Sequence, residues 1–569
     1  MQYFKSILSK QIAEFLKQDQ EEILPLIEKP KDEKLGDLSF PTFKFSQDKN
    51  PAELANNLKE YLQKQPQIAK ITSEIKTAGP YVNFYLSKPA LTQYLFEQTK
   101  QKTFPKNQIE NKSPQKILVE FANLNTHKEV HIGHLRNIVL GESLCRILES
   151  QKNKVRRVYY INDLGIHVAK VLWYLQKHYT PKQIDKITGD QYGEIYPKAV
   201  KEAQRNEENK KQVLEVLGKL ELKEKNIYDL WKRTWKQSIV YLEKIYKKLG
   251  ATFDDKDYEH QYKEEGNKKV DELLKRKIAK ISDGAAIIDF KEHGHEELGI
   301  FVLRRSDGTA LYYVADIALA LKRLKEKQDQ YLYVVSSDQN LLFRQNFQLY
   351  SLMGYDINKF EHISYQLVLL AEGKMSSRTG NIVRLTDALE EGIKLAKQKI
   401  KQKRQKISEK ELQKTAEVLT LNALKFTMLS HQNQRDIVFD WSILELKDQT
   451  APYISYSKIR AQKILEKAGK PKQSKASPLF LTKEEEFSLT KKILEYPQIL
   501  TSAAITRSPH VIANYAIELC QLFSKFYENC PVLEEKEELK QTRLLLVDAF
   551  LKLIKELSYL LTLEELKEM

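Results

Sequence analysis

Cysteine is nearly absent: only Cys145, Cys520 and Cys530 occur in 569 residues. None has a partner at CxxC spacing, which excludes a zinc ribbon and a disulfide framework and fits a reducing compartment. Glycine (19) and proline (17) are sparse, which excludes collagen-like and low-complexity chains. No apolar run is long enough to cross a bilayer. The N-terminal segment MQYFKSILSKQIAEFLKQDQ breaks its amphipathic pattern with charges and lacks the apolar core of a signal peptide. The expectation is a cytoplasmic globular protein with no membrane partner and no structural metal.

What is present is length and positive charge. A chain of 569 residues holds several domains, and 41% apolar with 30% charged residues is a globular composition. The net charge of +16 fits a polyanionic partner such as nucleic acid, and fits equally a lysine-rich solvated surface. Residues 1–100 read as a small α/β unit, with a helix from Pro51 to Lys64 and two strands in IAKITSEIKTAGPYVNFYLS. A polar linker follows. KILVEF, the helical HLRNIVLGESLCRILESQ and KVRRVYYIND then give the strand–helix–strand order of a parallel sheet, within a unit spanning 115–400. Lysine- and glutamate-rich helical sequence near 180–290 interrupts it. YLYVVSS and HISYQLVLL are its later strands. From 405 to 569 the periodicity is helical, as in an all-α bundle.

Two stretches carry chemistry. ANLNTHKEVHIGH (122–134) stands where the first strand hands over to a helix. Free N–H groups and the helix dipole make that turn an anion site. Gly133 lets a flat ligand approach, and His131 and His134 fall on one face, where two donors can stabilise charge at phosphorus. Lys128 adds a positive charge. GKMSSRTG (373–380) follows the last strand with Lys374, Met375, Ser376, Ser377 and Arg378 between glycines, a composition suited to holding a pyrophosphate.

HIGH followed by KMSSR resembles the signature pair of class I aminoacyl-tRNA synthetases. The finer likeness is to the arginyl-tRNA synthetase family. VEFANLNTHKEVHIGHLRN, DGTALYYVADIALA, DIVFDWSILELKDQTAPYISYSKIRAQKIL and NYAIELCQLFSKFYENCPVL resemble its motifs in order along nearly the whole chain. The resemblance implies a Rossmann-type catalytic domain with a small N-terminal α/β domain that touches the D-loop of tRNA and a C-terminal anticodon-binding bundle. It implies activation of L-arginine by ATP, carried with Mg2+, and transfer to tRNA(Arg), with activation dependent on tRNA, by a monomer. It assigns His131, His134, Lys128 and Lys374 to catalysis. His131, Gly133, His134 and the run Lys374, Met375, Ser376, Ser377 and Arg378 would hold ATP.

For arginine the resemblance supplies Tyr312 and Asp316 at the guanidinium, Gln339 at the amino acid, and Glu120 and Asn125 at the α-amino and α-carboxyl groups. A planar cation with five N–H donors does require a carboxylate and further acceptors. For tRNA it supplies Tyr81 and Asn83, and the bundle offers Tyr453, Tyr456 and Arg460. Three departures stand out. Ser377 replaces a lysine in the KMSKS pattern, Leu342 a common histidine, and the GDWGTQ-like block reads NDLGIHVAK, with His167 toward the site. The rivals are a catalytically inactive tRNA-binding paralogue, which would show eroded motifs, and a class I synthetase for another amino acid, which would lack Asp316.

Overall fold

The computed structural model describes all residues except 47–49, 110, 112, 371–372, 375–381, 405, 446–449, 470 and 567–569. The N-terminal unit packs the helices Gln2–Leu16 and Pro51–Gln63 on three strands, β1 (Leu38–Pro41), β2 (Thr72–Ala78) and β3 (Tyr81–Leu86). The second helix begins where expected because Asn50 accepts the Ala52 N–H and Pro51 suits its first position. The sheet is antiparallel in the order β1-β3-β2, and Gly79, at φ +56°, turns the β2–β3 hairpin.

The central unit holds β4 (Lys116–Glu120), β5 (Lys154–Ile161), β6 (Asp255–Tyr258), β7 (Lys280–Ser282), β8 (Ala285–Asp289), β9 (Ile300–Arg304), β10 (Gln330–Ser336) and β11 (Phe360–Tyr365). Five of these form an all-parallel sheet in the order β11-β10-β4-β5-β6. The chain runs outward in one direction from β4 through β5 and β6, and in the other through β10 and β11. The switch point, and hence the crevice, lies at the carboxyl ends of β4 and β10. β7, β8 and β9 form a separate antiparallel sheet.

Two expectations are corrected. The stretch near 180–290 is not purely helical: besides the helices Tyr192–Ala203, Glu207–Glu221, Lys225–Leu249 and Glu259–Lys275 it contains β6. DKDY is a polar edge strand and carries no apolar strand signal. HISYQLVLL is not one strand. It breaks at Gln366 and Leu367, and β12 (Val368–Leu370) leaves the main sheet to join β13 (Gly373–Lys374) and β14 (Ile437–Val438).

The helix Ile132–Ser150 joins the layers. Fifteen of its nineteen residues are buried, because the sheet covers one side and the bundle another. Gly141 lets it lie against β4: a Cβ there would sit 2.2 Å from a ring carbon of Phe121. On the bundle side, Ser143 donates to the Leu560 carbonyl at 2.7 Å. After Leu385–Lys403 the bundle comprises Glu409–Leu429, Ala451–Ala468, Glu484–Ile505, His510–Asn529 and Glu537–Leu560. Cys145, Cys520 and Cys530 are all buried and free.

Candidate active site

His131 caps the helix Ile132–Ser150 in an unusual way. Its Nδ1 accepts the Gly133 N–H at 3.1 Å, while His134 Nδ1 accepts the His131 N–H at 3.2 Å. Ile132 donates its own N–H to the Val383 carbonyl at 3.0 Å. The first-turn N–H groups are therefore engaged, which corrects the expectation of a free backbone anion site. The same geometry fixes the rings. A neutral imidazole whose Nδ1 accepts carries its proton on Nε2. The rings stack with centroids 3.6 Å apart. Burial, with Lys128 nearby, pushes His131 down to about 4, and burial pushes His134 well below the usual imidazole range, with His131 and Lys128 adding to it. Both are neutral N–H donors at pH 7, and the helix N-terminus behind them adds a favourable dipole.

The third histidine of the loop is structural. His127 is fully buried at φ +58°. Its Nε2 lies 2.8 Å from Thr234 Oγ1 and its Nδ1 2.9 Å from Thr126 Oγ1. Thr234 gives its own proton to the helix carbonyls of Leu230 or Trp231, so His127 donates from Nε2 and ties the loop to Lys225–Leu249. Lys128 stands 4.9 Å from the Tyr196 ring. His167 lies beside Lys128 with its Nε2 buried and unpartnered, and it is not part of the cavity wall described next.

A cavity of about 330 Å³ opens at the switch point. Its wall includes Glu120, Asn125, Tyr312, Asp316, Gln339 and His134, so every side chain expected at the amino acid meets one ligand-sized space. Tyr312 immediately precedes the helix Tyr313–Leu324 and already has helical torsions, which puts it on Asp316's face. Gln339 immediately precedes the helix Asn340–Leu352. Leu342 lines the same wall. Burial pushes Asp316 up to about 7; Glu120 beside it adds to the rise, while Tyr160 and Arg323 oppose it.

Four oxygens of the wall are buried without a hydrogen bond of normal geometry: Asp316 Oδ1 and Tyr160 Oη, which lie close to each other, Tyr333 Oη and Asn346 Oδ1. Unmet polar atoms of this kind are costly in a folded protein and mark a site shaped for a polar ligand.

Sequence reasoning missed other polar residues of this wall, Asn123, Asn137 and Arg323. Arg323, two helical turns after Asp316 and 2% exposed, pairs with Glu120 and with Asp257 Oδ2, the latter at 2.8 Å. Asn123 Nδ2 donates to Glu120 Oε1 at 2.7 Å. Glu120 thus sits at the Asp316 end of the cavity with its charge partly met from behind. Asn137 Nδ2 donates to the Val334 carbonyl at 2.7 Å and its Oδ1 accepts the Ala122 N–H, joining the first loop to β10. Glu259, at the carboxyl end of β6, is pushed up to about 8 by burial, with Asp163 and Asp316 adding to the rise. Arg323 and Asn137 are polar residues within otherwise apolar helical stripes, a signal that each one's side chain is held by something.

The other expected residues divide. Met375, Ser376, Ser377 and Arg378 lie outside the described residues, and for Lys374 the backbone is described, in register with Leu369. Tyr81 is 43% exposed and meets Phe43 edge-on, an aromatic pair open to solvent. Asn83 is a correction. It lies in the central strand between Ser39 and Lys76 and is 3% exposed, so it offers RNA no surface. Tyr453 is another: its hydroxyl meets Ser524 Oγ at 3.0 Å and the Cys520 carbonyl at 3.3 Å, as a tether inside the bundle. Tyr456 is exposed, and Arg460 lies 4.0 Å from its ring and 4.7 Å from that of Tyr527. That stack presents a cation between two aromatic faces.

Comparison with known proteins extends this geometry. The model of the tRNA synthetases class I (R) catalytic domain matches residues 94–441, that of the arginyl tRNA synthetase N terminal domain residues 2–86, and that of the DALR anticodon binding domain residues 454–569. The arginine–tRNA ligase of Clostridium perfringens is 31% identical with all of both chains covered, and that of Treponema pallidum is 29% identical over 96% of this chain and 95% of its own. The solved arginyl-tRNA synthetase of Thermus thermophilus superposes with a TM-score of 0.80 at 25% identity over 99% of both chains. With the five-stranded parallel sheet, the HIGH helix and the helical bundle in the same order along one chain, the protein belongs to the arginyl-tRNA synthetase family of class I aminoacyl-tRNA synthetases.

Proposed function

We propose that the protein joins L-arginine to tRNA(Arg), and that the switch-point cavity holds the arginine side chain. The four buried oxygens of the wall that lack a hydrogen bond of normal geometry carry this reading. A guanidinium brings five N–H donors and a fixed charge, and needs a carboxylate with other acceptors around it. Asp316 takes the cation, Tyr312, Tyr160 and Asn346 accept further N–H groups, and Glu120 lies close by with Arg323 limiting the excess negative charge. Glu120 and Asn125 face the α-amino and α-carboxyl groups, and Gln339 also contacts the amino acid. A neutral analogue would leave Asp316 buried and unpaired, which gives discrimination without an editing step.

In the first step an arginine carboxylate oxygen attacks the α-phosphorus of ATP. The bond from that phosphorus to the bridging oxygen breaks, and pyrophosphate leaves with its electron pair. Neutral His131 and His134 donate from Nε2 to the phosphate oxygens as charge builds there. Lys128 and Lys374 stabilise the leaving pyrophosphate, and magnesium enters bound to the ATP phosphates as part of the substrate. In the second step a ribose hydroxyl of the tRNA 3′-end attacks the adenylate carbonyl and AMP leaves. Tyr81 and the Tyr456–Arg460 stack contact tRNA, and the +16 charge holds its phosphates.

The test is ATP–pyrophosphate exchange with each amino acid in turn, with and without tRNA. Exchange with arginine alone, and dependent on tRNA, supports the assignment. Exchange with another amino acid would overturn the pocket reading. A folded protein that binds tRNA and shows no exchange would be a binding paralogue.

A further inference from the structure

Arg136 lies on the HIGH helix and is 1% exposed. Its guanidinium meets backbone carbonyls from two distant segments. Nη1 donates to Gln366 at 2.6 Å, Leu367 at 3.3 Å and Arg435 at 2.9 Å; Nη2 donates to Gln432 at 3.0 Å and Asn433 at 3.5 Å. The first segment is the break between β11 and β12, where the chain leaves the main sheet. The second is the link between the bundle helix Glu409–Leu429 and β14.

The two segments are also stitched to each other. Gln366 donates its N–H to the Asn433 carbonyl at 2.8 Å, Leu367 donates to Asp436 Oδ1 at 3.0 Å, and β12 runs parallel to β14. β12 in turn sets the register of β13, with Leu369 opposite Lys374. On the far side of residues 375–381 the chain is tied to the same helix start, through Ile132 N–H to Val383 O and Leu385 N–H to Val130 O, both at 3.0 Å. Both flanks of the KMSSR segment therefore hang on residues 130–136.

We infer that Arg136 is a positioning residue: through backbone carbonyls it sets the strand pair carrying Lys374, and the chain leaving for the bundle, relative to His131 and His134. Only a guanidinium fork reaches both segments at once, since an ammonium offers its three donors from a single point. Burial pushes Arg136 down to about 10, which leaves it charged at neutral pH. An apolar residue would strand the carbonyls. The inference rests on Lys374 acting at the pyrophosphate. A wild-type exchange rate in Lys374→Ala would sink that assignment, and is read separately from the Arg136 variants.

The test compares Arg136→Lys and Asp436→Ala in the full chain. Circular dichroism and melting report the fold, direct titration reports arginine affinity, and exchange kinetics report kcat and the KM for ATP. A folded Arg136→Lys is expected to bind arginine within about twofold of wild type while kcat falls by at least about tenfold and the KM for ATP rises. Asp436 is exposed, so its variant keeps the fold and is expected to show a smaller loss in the same direction. Exchange within about twofold of wild type in folded Arg136→Lys overturns the inference, as does a parallel loss of arginine affinity and kcat. If Arg136→Lys does not fold, a wild-type rate in Asp436→Ala overturns it.

Discussion

The two ends of the switch-point crevice meet their hydrogen-bonding needs in opposite ways. At the Asp316 end, four buried oxygens have no hydrogen bond of normal geometry and a carboxyl is pushed up to about 7. At the HIGH end, each Nδ1 accepts a backbone N–H, that of Gly133 at His131 and that of His131 at His134, and burial pushes His131 down to about 4 and His134 well below the usual imidazole range. The first end leaves acceptors unmet, so a ligand with the right donors gains what the apo protein lacks. The second holds neutral donors in place, so little reorganisation is needed when charge develops on a phosphate. Opposite electrostatics thus meet along one crevice, with His134 and Asp316 on the same cavity wall.

The sharpest way to break the comparison is at the HIGH end. His134→Ala should lower the exchange rate by roughly 10²–10³. The helix cap it supports should cost only about 1 kcal/mol, so the fold survives and arginine affinity is unchanged. A single-turnover assay alongside arginine titration separates these outcomes. A rate near wild type would remove His134 from the chemistry.

Next in size is pH. As pH falls through about 7, Asp316 takes up a proton that arginine must displace, and affinity should drop by about tenfold per pH unit. His131, held near 4, stays neutral between pH 5 and 8, so kcat should show no imidazole break in that range. Calorimetry in buffers of different ionisation enthalpy should detect proton release on arginine binding near pH 7.

Smaller effects sharpen the reading of the tRNA surface. Tyr456→Ala should weaken tRNA binding by about 1–3 kcal/mol through lost stacking. Tyr453→Phe should leave tRNA affinity alone and lower stability by about 1 kcal/mol, because its hydroxyl is tied inside the bundle. Filter binding and thermal melting together distinguish the two. The apo fold supplies a further test. Asp316 is raised from 3.8, so the stability it contributes is full below that value and is lost as pH rises through about 7. Without arginine, Asp316→Asn should therefore melt higher than wild type at pH 8.

Much of this was legible in the sequence, and the misses share a physical cause. β4, β5 and β10 declared themselves as apolar runs because the sheet buries them on both faces. β6 was hidden because an edge strand can be as polar as DKDY. The five residues expected at arginine could be named from motif positions and meet in one cavity, but the place of Arg323 could not, since Glu120 and Asp257 lie 203 and 66 positions away. Asn83 shows the converse limit: a polar residue two positions from exposed Tyr81 reads as surface until the central place of β3 is known. Arg136 could be seen as a charge within an apolar stripe, yet its five carbonyl partners lie about 230 to 300 positions away.

The most direct measurement is the titration of L-arginine into the wild-type protein and Asp316→Asn at pH 8, with an ATP analogue titrated into both as a control. The account predicts that the variant binds arginine at least about a hundredfold more weakly while the ATP analogue binds both proteins alike. Equal arginine affinity in the two proteins would contradict it and move the guanidinium away from Asp316.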